Sequence, residues 1–252
     1  MAKTTPPPRI PAAEDFPSTL VYTLPPPDPS SRPPTNILIL LHGLGDLHHA
    51  FTKLGTELAL PETAVLSIQA PNKLPIEMEA FHWGDDVIFD NSTGGLDSDA
   101  GFKKSRGLLT TIVDELLVGK CGWQKKGVFF FGYGQGGMTA LDYVLSNAGD
   151  EYGGVISVGA DAPSAREGED KSKTPILVCA AEKGSVVTPA KEARLADLFE
   201  DAKVVRWKGR NQDGMVTNKE ELLPIMEFFG RRLGSTAGVP EGALELIAGG
   251  SS

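Results

Sequence analysis

Cysteine and long apolar runs are scarce in this chain. Only Cys121 and Cys179 occur among its 252 residues, which is too few for a disulfide framework, so a reducing compartment is expected. No stretch of about 18 apolar residues is present, and a membrane span is therefore not expected. The N-terminal sequence MAKTTPPPRIPAAEDFP lacks the apolar core of a signal peptide. These absences favour a cytoplasmic protein, with a nuclear location as an alternative.

Basic residues and histidines are also few. Lys and Arg number 24 against 33 Asp and Glu, which gives a net charge of −9 near neutral pH. A charge of this sign does not attract nucleic acid or an anionic membrane surface, so neither is expected as a partner. The histidines are His42, His48, His49 and His82, and none follows residue 82. The adjacent pair at 48 and 49 would point about 100° apart on a helix, so no metal or other cofactor is expected.

Proline marks the first segment of the chain, residues 1–34. Its PPPRIP and LPPPDPSSRPP runs can continue neither a helix nor an inner strand. We expect this proline-rich segment to be partly disordered, with TLVYTL as a possible edge strand. At the other end, residues 234–252 form a tail rich in small residues. The intervening residues 35–233 are predicted to form one domain.

Between these ends, apolar runs alternate with helical periodicity. NILILL is a continuous apolar run, which is typical of a strand covered on both faces. Further strands are predicted at TAVLSIQAP, GVFFF, GVISVGA, PILVCAA and KVVRW, separated by segments in which apolar residues recur at helical spacing. This order predicts an α/β fold with a mostly parallel, twisted sheet and helices on both faces.

The stretch GVFFFGYGQGGMTAL matches two different motifs. As G-x-S-x-G it would be the nucleophile elbow of a hydrolase, but Gly134 stands where the serine belongs. As G-x-G-x-x-G it matches Gly132, Gly134 and Gly137, a dinucleotide fingerprint, with Asp161 as the following acid. Strand–helix units already precede this match, and Asp161 lies farther on than the usual ~20 residues. The dinucleotide interpretation is therefore the weaker of the two.

The sequence HGLGD, residues 42–46, favours the elbow interpretation. It follows NILILL, as an oxyanion-hole loop follows an earlier strand in hydrolases. Glycines in such a loop allow backbone N–H groups to approach a ligand oxygen closely. The expected oxyanion donors are the N–H groups of Leu44 and Gln135, and His42 is expected to orient the loop rather than to act as a base.

Four motifs follow one another in a specific order: ILLHGLGD, QAP (69–71), HWGDD (82–86) and GYGQGG (132–137). From Ile37 to Leu233 the chain resembles the acyl-protein thioesterase and carboxylesterase/phospholipase family of α/β-hydrolases. The resemblance implies an α/β-hydrolase fold with a shallow acyl-binding groove. It also implies hydrolysis of carboxylic esters or thioesters, including palmitoyl-cysteine on proteins, by a Ser–Asp–His triad without a metal.

By this resemblance the triad positions fall on Gly134, Gly184 and Gln212, which lack the nucleophile, the acid and the base. A histidine in the usual chain order is missing, whatever the alignment of the last two loops. We therefore expect a catalytically inactive pseudoenzyme that binds a protein partner or an acyl ligand.

Two other functions remain open from the sequence. One is a weak or unconventional ester or thioester hydrolase, in which water attacks a carbonyl held by the retained oxyanion loop. The other is dinucleotide binding through the glycine stretch. For a ligand groove the candidate residues are His42, Trp83 and Tyr133, and the sequence does not specify an oligomeric state.

Overall fold

A seven-stranded sheet forms the centre of the molecule. The computed structural model describes residues 8–27, 30–75, 79–90, 94–165, 168 and 170–235. The strands of the sheet are β1 (Tyr22–Thr23), β2 (Asn36–Leu41), β3 (Thr63–Ile68), β4 (Val128–Tyr133), β5 (Gly154–Val158), β6 (Ile176–Ala181) and β7 (Ala202–Trp207). They lie in the order β1-β3-β2-β4-β5-β6-β7. The edge strand β1 is antiparallel to β3, and all other pairs are parallel.

Five α-helices accompany the sheet in the described part of the chain. They are α1 (His48–Glu57), α2 (Lys103–Thr110), α3 (Gln135–Ser146), α4 (Pro189–Leu198) and α5 (Lys219–Gly230), and α2 continues as a π-helical segment, Thr111–Lys120. Two short hairpins pair Asn72–Lys73 with Phe81–His82 and Phe89–Asp90 with Gly95–Leu96. None of the helices described has the length and apolar character needed to cross a membrane.

The sheet is covered on both faces, because successive side chains of a strand point to opposite sides. In β2, Ile37, Ile39 and Leu41 belong to one apolar cluster, whereas Leu38 and Leu40 belong to another. The first cluster includes side chains of α2, α3 and α4, and the second includes side chains of α1 and α5. The α/β fold with a mostly parallel sheet and helices on both faces is thus confirmed.

Helix α2 begins later than its sequence pattern predicts. The pattern SDAGFKKSRGLLTTIVDELLVG starts at Ser98, whereas the helix begins at Lys103. The carboxylate of Asp85 accepts hydrogen bonds from the backbone N–H groups of Lys103 (2.8 Å) and Lys104 (2.7 Å). An acidic residue of the HWGDD motif therefore caps the helix and satisfies two of its orphan donors. The local sequence pattern does not contain this cap, which comes from 18 residues upstream.

Glycines at the junction of β4 and α3 let the helix approach the sheet closely. A Cβ atom on Gly132 would lie 2.5 Å from backbone atoms of the first turn of α3. A Cβ atom on Gly136 would collide with the carbonyl oxygens of Leu41 and His42 at the end of β2. Close packing therefore accounts for glycine at both positions of the GYGQGG stretch.

We predict that Gly136→Ala destabilises the fold, whereas Gly107→Ala in α2 does not. The methyl group at 136 meets the backbone at the end of β2, and overpacking of this kind costs about 1–3 kcal/mol. The methyl group at 107 meets no heavy atom within 4 Å, and alanine gains up to about 1 kcal/mol of helix propensity. Urea unfolding measures both effects, and equal transition midpoints for the two variants would contradict the close approach of α3.

Candidate active site

Gly134 forms the turn between β4 and α3. Its φ is 51° and its ψ is −122°, a conformation that glycine adopts with little strain and other residues do not. Its N–H donates to the carbonyl of Val158 (2.9 Å), and its own carbonyl accepts from Met138 (3.1 Å). A Cβ atom built on Gly134 would have no heavy atom within 4 Å. The turn thus holds an open position above the sheet, where a nucleophile elbow presents its serine.

His42 lies at the base of the HGLGD loop and is completely buried. Its Nε2 accepts a hydrogen bond from the backbone N–H of Ala70 (2.9 Å), and its Nδ1 donates to the carbonyl of Gly43 (2.7 Å). Because Nε2 is an acceptor, the ring is neutral with its proton on Nδ1. Burial lowers the pKa of His42 to about 4. The imidazole therefore ties the HGLGD loop, which follows β2, to Ala70 in the segment that follows β3.

The segment Phe81–Trp83 joins the HGLGD loop to the β4–α3 turn. The carbonyl of Phe81 accepts a hydrogen bond from the N–H of Gly45 (2.8 Å). Two residues later, the N–H of Trp83 donates to Oε1 of Gln135 (2.7 Å). His82, between these two contacts, is therefore held beside both parts of the expected oxyanion hole.

A narrow cleft without interior room for a water molecule lies beside these elements. Both expected oxyanion residues line it, together with one imidazole, two carboxylates and several apolar side chains. The lining residues are Leu44, Leu74, His82, Asp86, Val87, Ile88, Leu96, Asp97 and Gln135. Gln135 is the first residue of α3, and an N–H group at that position has no acceptor within its helix. The cleft therefore combines backbone donors at a helix start with an apolar wall.

The loops after β6 and β7 meet through the side chains of Ser185 and Asp213. Ser185 Oγ donates to Asp213 Oδ2 (2.9 Å), which also accepts from the N–H of Val186 (2.9 Å). The other oxygen, Oδ1, accepts from the N–H of Ala181 at the end of β6 (2.8 Å). One carboxylate thus ties the two loops together, and both of its oxygens are occupied by this role.

The two positions that the resemblance aligned with the acid and the base lie next to this contact. Gly184 has a φ of 59°, and a Cβ atom there would collide with the carbonyl of Asn211. Gln212 is exposed. The side chains that meet between the loops therefore belong to the following residue in each case, Ser185 and Asp213.

Of the three groove candidates, His42 and Trp83 are completely buried, and the indole N–H of Trp83 donates to the carbonyl of His42 (2.8 Å). Neither side chain offers a surface to a ligand in this structure. Tyr133 is half-buried beside the turn. Burial raises the pKa of Tyr133, and the carboxylates of Asp46 and Asp213 raise it further. Its phenol therefore stays protonated near neutral pH and can donate a hydrogen bond.

Cys179 does not supply a nucleophile, and the described residues do not form a metal site. Cys179 is completely buried in β6, and burial raises the pKa of its thiol to about 12, so it remains a thiol. Within the described ranges, no three His, Cys, Asp or Glu side chains converge as a metal site requires.

Sequence reasoning did not identify His82 or Ser185 as site residues, and it considered Asp213, like Glu182, only as a substitute carboxylate with no imidazole to orient. His82 stands in the quoted HWGDD motif, so its position there was a usable signal. Ser185 and Asp213 carried no such signal, because their contact depends on two loops that are 28 residues apart in the chain.

We predict that His42 stays neutral down to about pH 4, against an ordinary value of 6.5. The unfolded chain binds this proton at a higher pH than the folded chain does. The contribution of neutral His42 to the free energy of unfolding is therefore fully present above pH 6.5 and is lost as the pH falls from there toward about 4. The ring carbon resonances of His42, followed by NMR, should not change between pH 8 and about 5. A titration midpoint near 6.5 would contradict the buried, singly protonated ring.

Comparison with known proteins supports the same fold and family. The family model of phospholipases and carboxylesterases matches residues 28–216. An uncharacterized hydrolase of Schizosaccharomyces pombe is 30% identical over 205 residues, which are 79% of this chain and 83% of that protein. An uncharacterized hydrolase of Mycosarcoma maydis is 37% identical over 134 residues, about half of each chain (51% and 50%).

Solved structures of similar fold include several esterases. Esterase PE8 has a TM-score of 0.69 and 21% identity, with 85% of this chain and 99% of that chain covered. A Bacillus cereus carboxylesterase has a TM-score of 0.65 and 17% identity, with 86% and 96% covered. Zea mays acyl-protein thioesterase 2 has a TM-score of 0.64 and 19% identity, with 85% and 99% covered. The chain has the α/β-hydrolase fold and belongs to the phospholipase/carboxylesterase family.

Proposed function

We propose that this protein binds an acyl ester or thioester at the open position above Gly134 and does not cleave it by way of an acyl-enzyme. The observation that carries the proposal is the turn at Gly134. It keeps the backbone conformation of an elbow and an open position above it, but it has no side chain to attack a carbonyl. A triad requires a nucleophile, a base that takes its proton and an acid that orients the base. The pseudoenzyme expectation rests on the loss of all three.

The geometry favours Ser185 and Asp213, rather than Gly184 and Gln212, as the positions equivalent to the acid and the base. In a triad these two side chains are hydrogen-bonded to each other. Ser185 and Asp213 make such a contact at 2.9 Å. With serine and aspartate there, the pair holds the loops together but offers no imidazole.

Binding is supported by the donors that remain. The N–H groups of Leu44 and Gln135 belong to residues that line the cleft, and their loops are fixed by His42 and by the Phe81–Trp83 segment. Fixed backbone donors interact favourably with a carbonyl oxygen whether or not a nucleophile is present. The ligand would be an ester or thioester, free in solution or carried by a partner protein.

We predict that Gly134→Ser combined with Ser185→Asp and Asp213→His creates measurable p-nitrophenyl ester hydrolysis. The serine at 134 has open space, and the introduced acid and imidazole stand at the two positions whose side chains already meet. The wild-type protein should show no turnover above a heat-treated sample, because the hole and binding alone retain only ~10³–10⁴-fold over water in triad enzymes.

The matched control carries Gly134→Ser with Gly184→Asp and Gln212→His. A side chain at 184 collides with the carbonyl of Asn211, so this variant should remain inactive or fold poorly. Folding of each variant is checked by circular dichroism and thermal unfolding. Higher activity in the control than in the first triple variant would refute the assignment to Ser185 and Asp213.

A second candidate function, hydrolysis by directly activated water, is favoured by the position of His82. Its side chain is 4% exposed and lines the same cleft as Leu44 and Gln135. Burial lowers the pKa of His82 and Lys104 lowers it further, against an opposing effect of Asp86 and of the Gly84 carbonyl. The ring is therefore neutral at pH 7 and able to accept a proton.

In this reaction His82 would take a proton from water while the water oxygen bonds to the carbonyl carbon. The resulting oxyanion would accept hydrogen bonds from the N–H groups of Leu44 and Gln135. Collapse would break the C–O or C–S bond, and the imidazolium would return its proton to the leaving alcohol or thiol.

For this candidate function we predict that the wild-type protein turns over slowly and that His82→Asn reduces this turnover about 10²-fold or more. The control is His49→Asn, since His49 is exposed and does not line the cleft. Turnover is measured with a short p-nitrophenyl ester over pH 5 to 9. Wild-type protein without turnover, or an equal loss in both variants, would reject water activation by His82.

The dinucleotide alternative has less support. Close packing accounts for two glycines of the fingerprint, because a Cβ atom on Gly132 would lie 2.5 Å from the backbone of α3 and one on Gly137 would lie 2.5 Å from Ser157 Oγ. Asp161, the acid expected to bind a ribose, is buried and paired with Lys191 (3.2 Å). Calorimetry with NAD or NADP at millimolar concentration distinguishes this alternative from acyl binding.

A further inference from the structure

The HGLGD loop leaves the backbone N–H of Leu44 available for a ligand. The next N–H, that of Gly45, donates to the carbonyl of Phe81 (2.8 Å), and the N–H of Asp46 donates to the carbonyl of Gly43 (3.2 Å). Within the part of the chain that the structure describes, the N–H of Leu44 has no acceptor. Such a donor serves a ligand oxygen best when its direction is fixed in advance, so the contacts that hold this loop bear on binding.

Gln69 contacts both ends of the loop. It directly follows β3 and is 4% exposed. Its Oε1 accepts from the backbone N–H of His48 (3.1 Å), the first residue of α1. Since a backbone N–H can only donate, this contact places the NH₂ group of the amide on the other side. That group donates to Nε2 of His42 (2.5 Å), where the loop begins, and to the carbonyl of Asp46 (3.4 Å), where it ends.

The side chain of His48 extends these contacts to the edge of the sheet. Its Nδ1 donates to Oε1 of Gln69 (2.9 Å), and its Nε2 accepts from Oγ1 of Thr23 on β1 (3.1 Å). Burial lowers the pKa of both His48 and His42, so both rings are neutral near pH 7. The donors therefore all point in one direction, from Thr23 through His48 and Gln69 to His42.

This series of hydrogen bonds ends on the peptide unit that carries the N–H of Leu44. Nδ1 of His42 donates to the carbonyl of Gly43 (2.7 Å). That carbonyl and the N–H of Leu44 belong to one planar peptide unit, in which a trans bond makes them point in opposite directions. A contact that fixes the carbonyl of Gly43 therefore also fixes the direction of the Leu44 N–H.

We infer that Gln69 is a positioning residue, which orients the N–H of Leu44 toward a ligand carbonyl by holding His42 and the loop that follows it. The inference rests on the proposed acyl-binding function and adds a buried residue of the QAP motif to the site. The N–H of Ala70 also donates to Nε2 of His42. Only the amide of Gln69 joins that ring to the other end of the loop, at Asp46.

The test compares Gln69→Leu with the control Ser67→Ala in the full chain. Ser67 is completely buried and donates to the carbonyl of His48 (2.7 Å), so the control also loses a buried hydrogen bond but keeps the contacts of the loop. Calorimetry measures the affinity for butyryl-N-acetylcysteamine, and thermal unfolding measures stability. Gln69→Leu should bind this thioester about tenfold more weakly than the wild type, as loss of one well-placed donor allows, whereas Ser67→Ala should bind as the wild type does. Equal affinity in Gln69→Leu and wild type, or an equal loss in both variants, would overturn the inference.

A measurement without ligand separates this inference from the proposed function. The order parameter of the Leu44 N–H, obtained by NMR relaxation, should fall in Gln69→Leu from roughly 0.85, typical of rigid backbone, to below about 0.6. In Ser67→Ala it should not change. A wild-type protein that does not bind the thioester would refute acyl binding, and the order parameter would still decide the role of Gln69. An unchanged order parameter in folded Gln69→Leu would overturn that role.

Gln69→Glu is the second variant if the leucine change prevents folding. Its Oε1 keeps the contact with His48, and the oxygen in place of Nε2 can donate to His42 only while the carboxyl group is protonated. The titratable side chains in contact with position 69 are these two histidines, and burial lowers the pKa of both. Binding of the thioester by Gln69→Glu should therefore weaken as the pH rises from 6 to 8.5, unlike binding by the wild type. The same pH profile in both proteins would overturn the inference.

Discussion

The close contact between the start of α3 and the ends of β2 and β4 determines the geometry of the candidate site. Gly132 and Gly136 allow the helix to approach so closely that the chain must turn sharply at Gly134. The turn does not depend on a side chain at 134, because only backbone groups form its hydrogen bonds. The N–H of Gly134 donates to the carbonyl of Val158, and the carbonyl of Gly134 accepts from the N–H of Met138. The elbow geometry therefore requires no side chain at position 134.

Much of the fold could be predicted from the sequence, because its signals are local. NILILL is apolar throughout since β2 is buried on both faces, and HGLGD and GYGQGG follow β2 and β4 as oxyanion and elbow loops do. The start of α2 could not be predicted, because its cap is Asp85 from a distant motif. The two hairpins between residues 72 and 97 were also missed, since strands of two residues carry no periodicity.

The chemistry of the site was less accessible, because it depends on contacts between distant loops. The glycine at 134 is visible in the sequence, but the contact between Ser185 and Asp213 requires the loops after β6 and β7 to be folded. Asp213, in the loop after β7, accepts hydrogen bonds from the N–H groups of Ala181 and Val186 in β6 and the loop after it, so its carboxylate has a structural role. His82 similarly acquires its relevance only when the Phe81–Trp83 segment joins the HGLGD loop to the elbow.

The function proposed for this protein is that of a hydrolase scaffold that keeps the donors for a bound carbonyl and lacks the residues that attack it. In that proposal, the backbone N–H groups of Leu44 and Gln135 and the open position at Gly134 hold the ligand intact. The most direct measurement is a crystal structure of the protein with butyryl-N-acetylcysteamine. The account predicts an uncleaved thioester whose carbonyl oxygen lies within hydrogen-bond distance of both backbone N–H groups. A cleaved product, an acylated side chain, or a ligand bound elsewhere would contradict it.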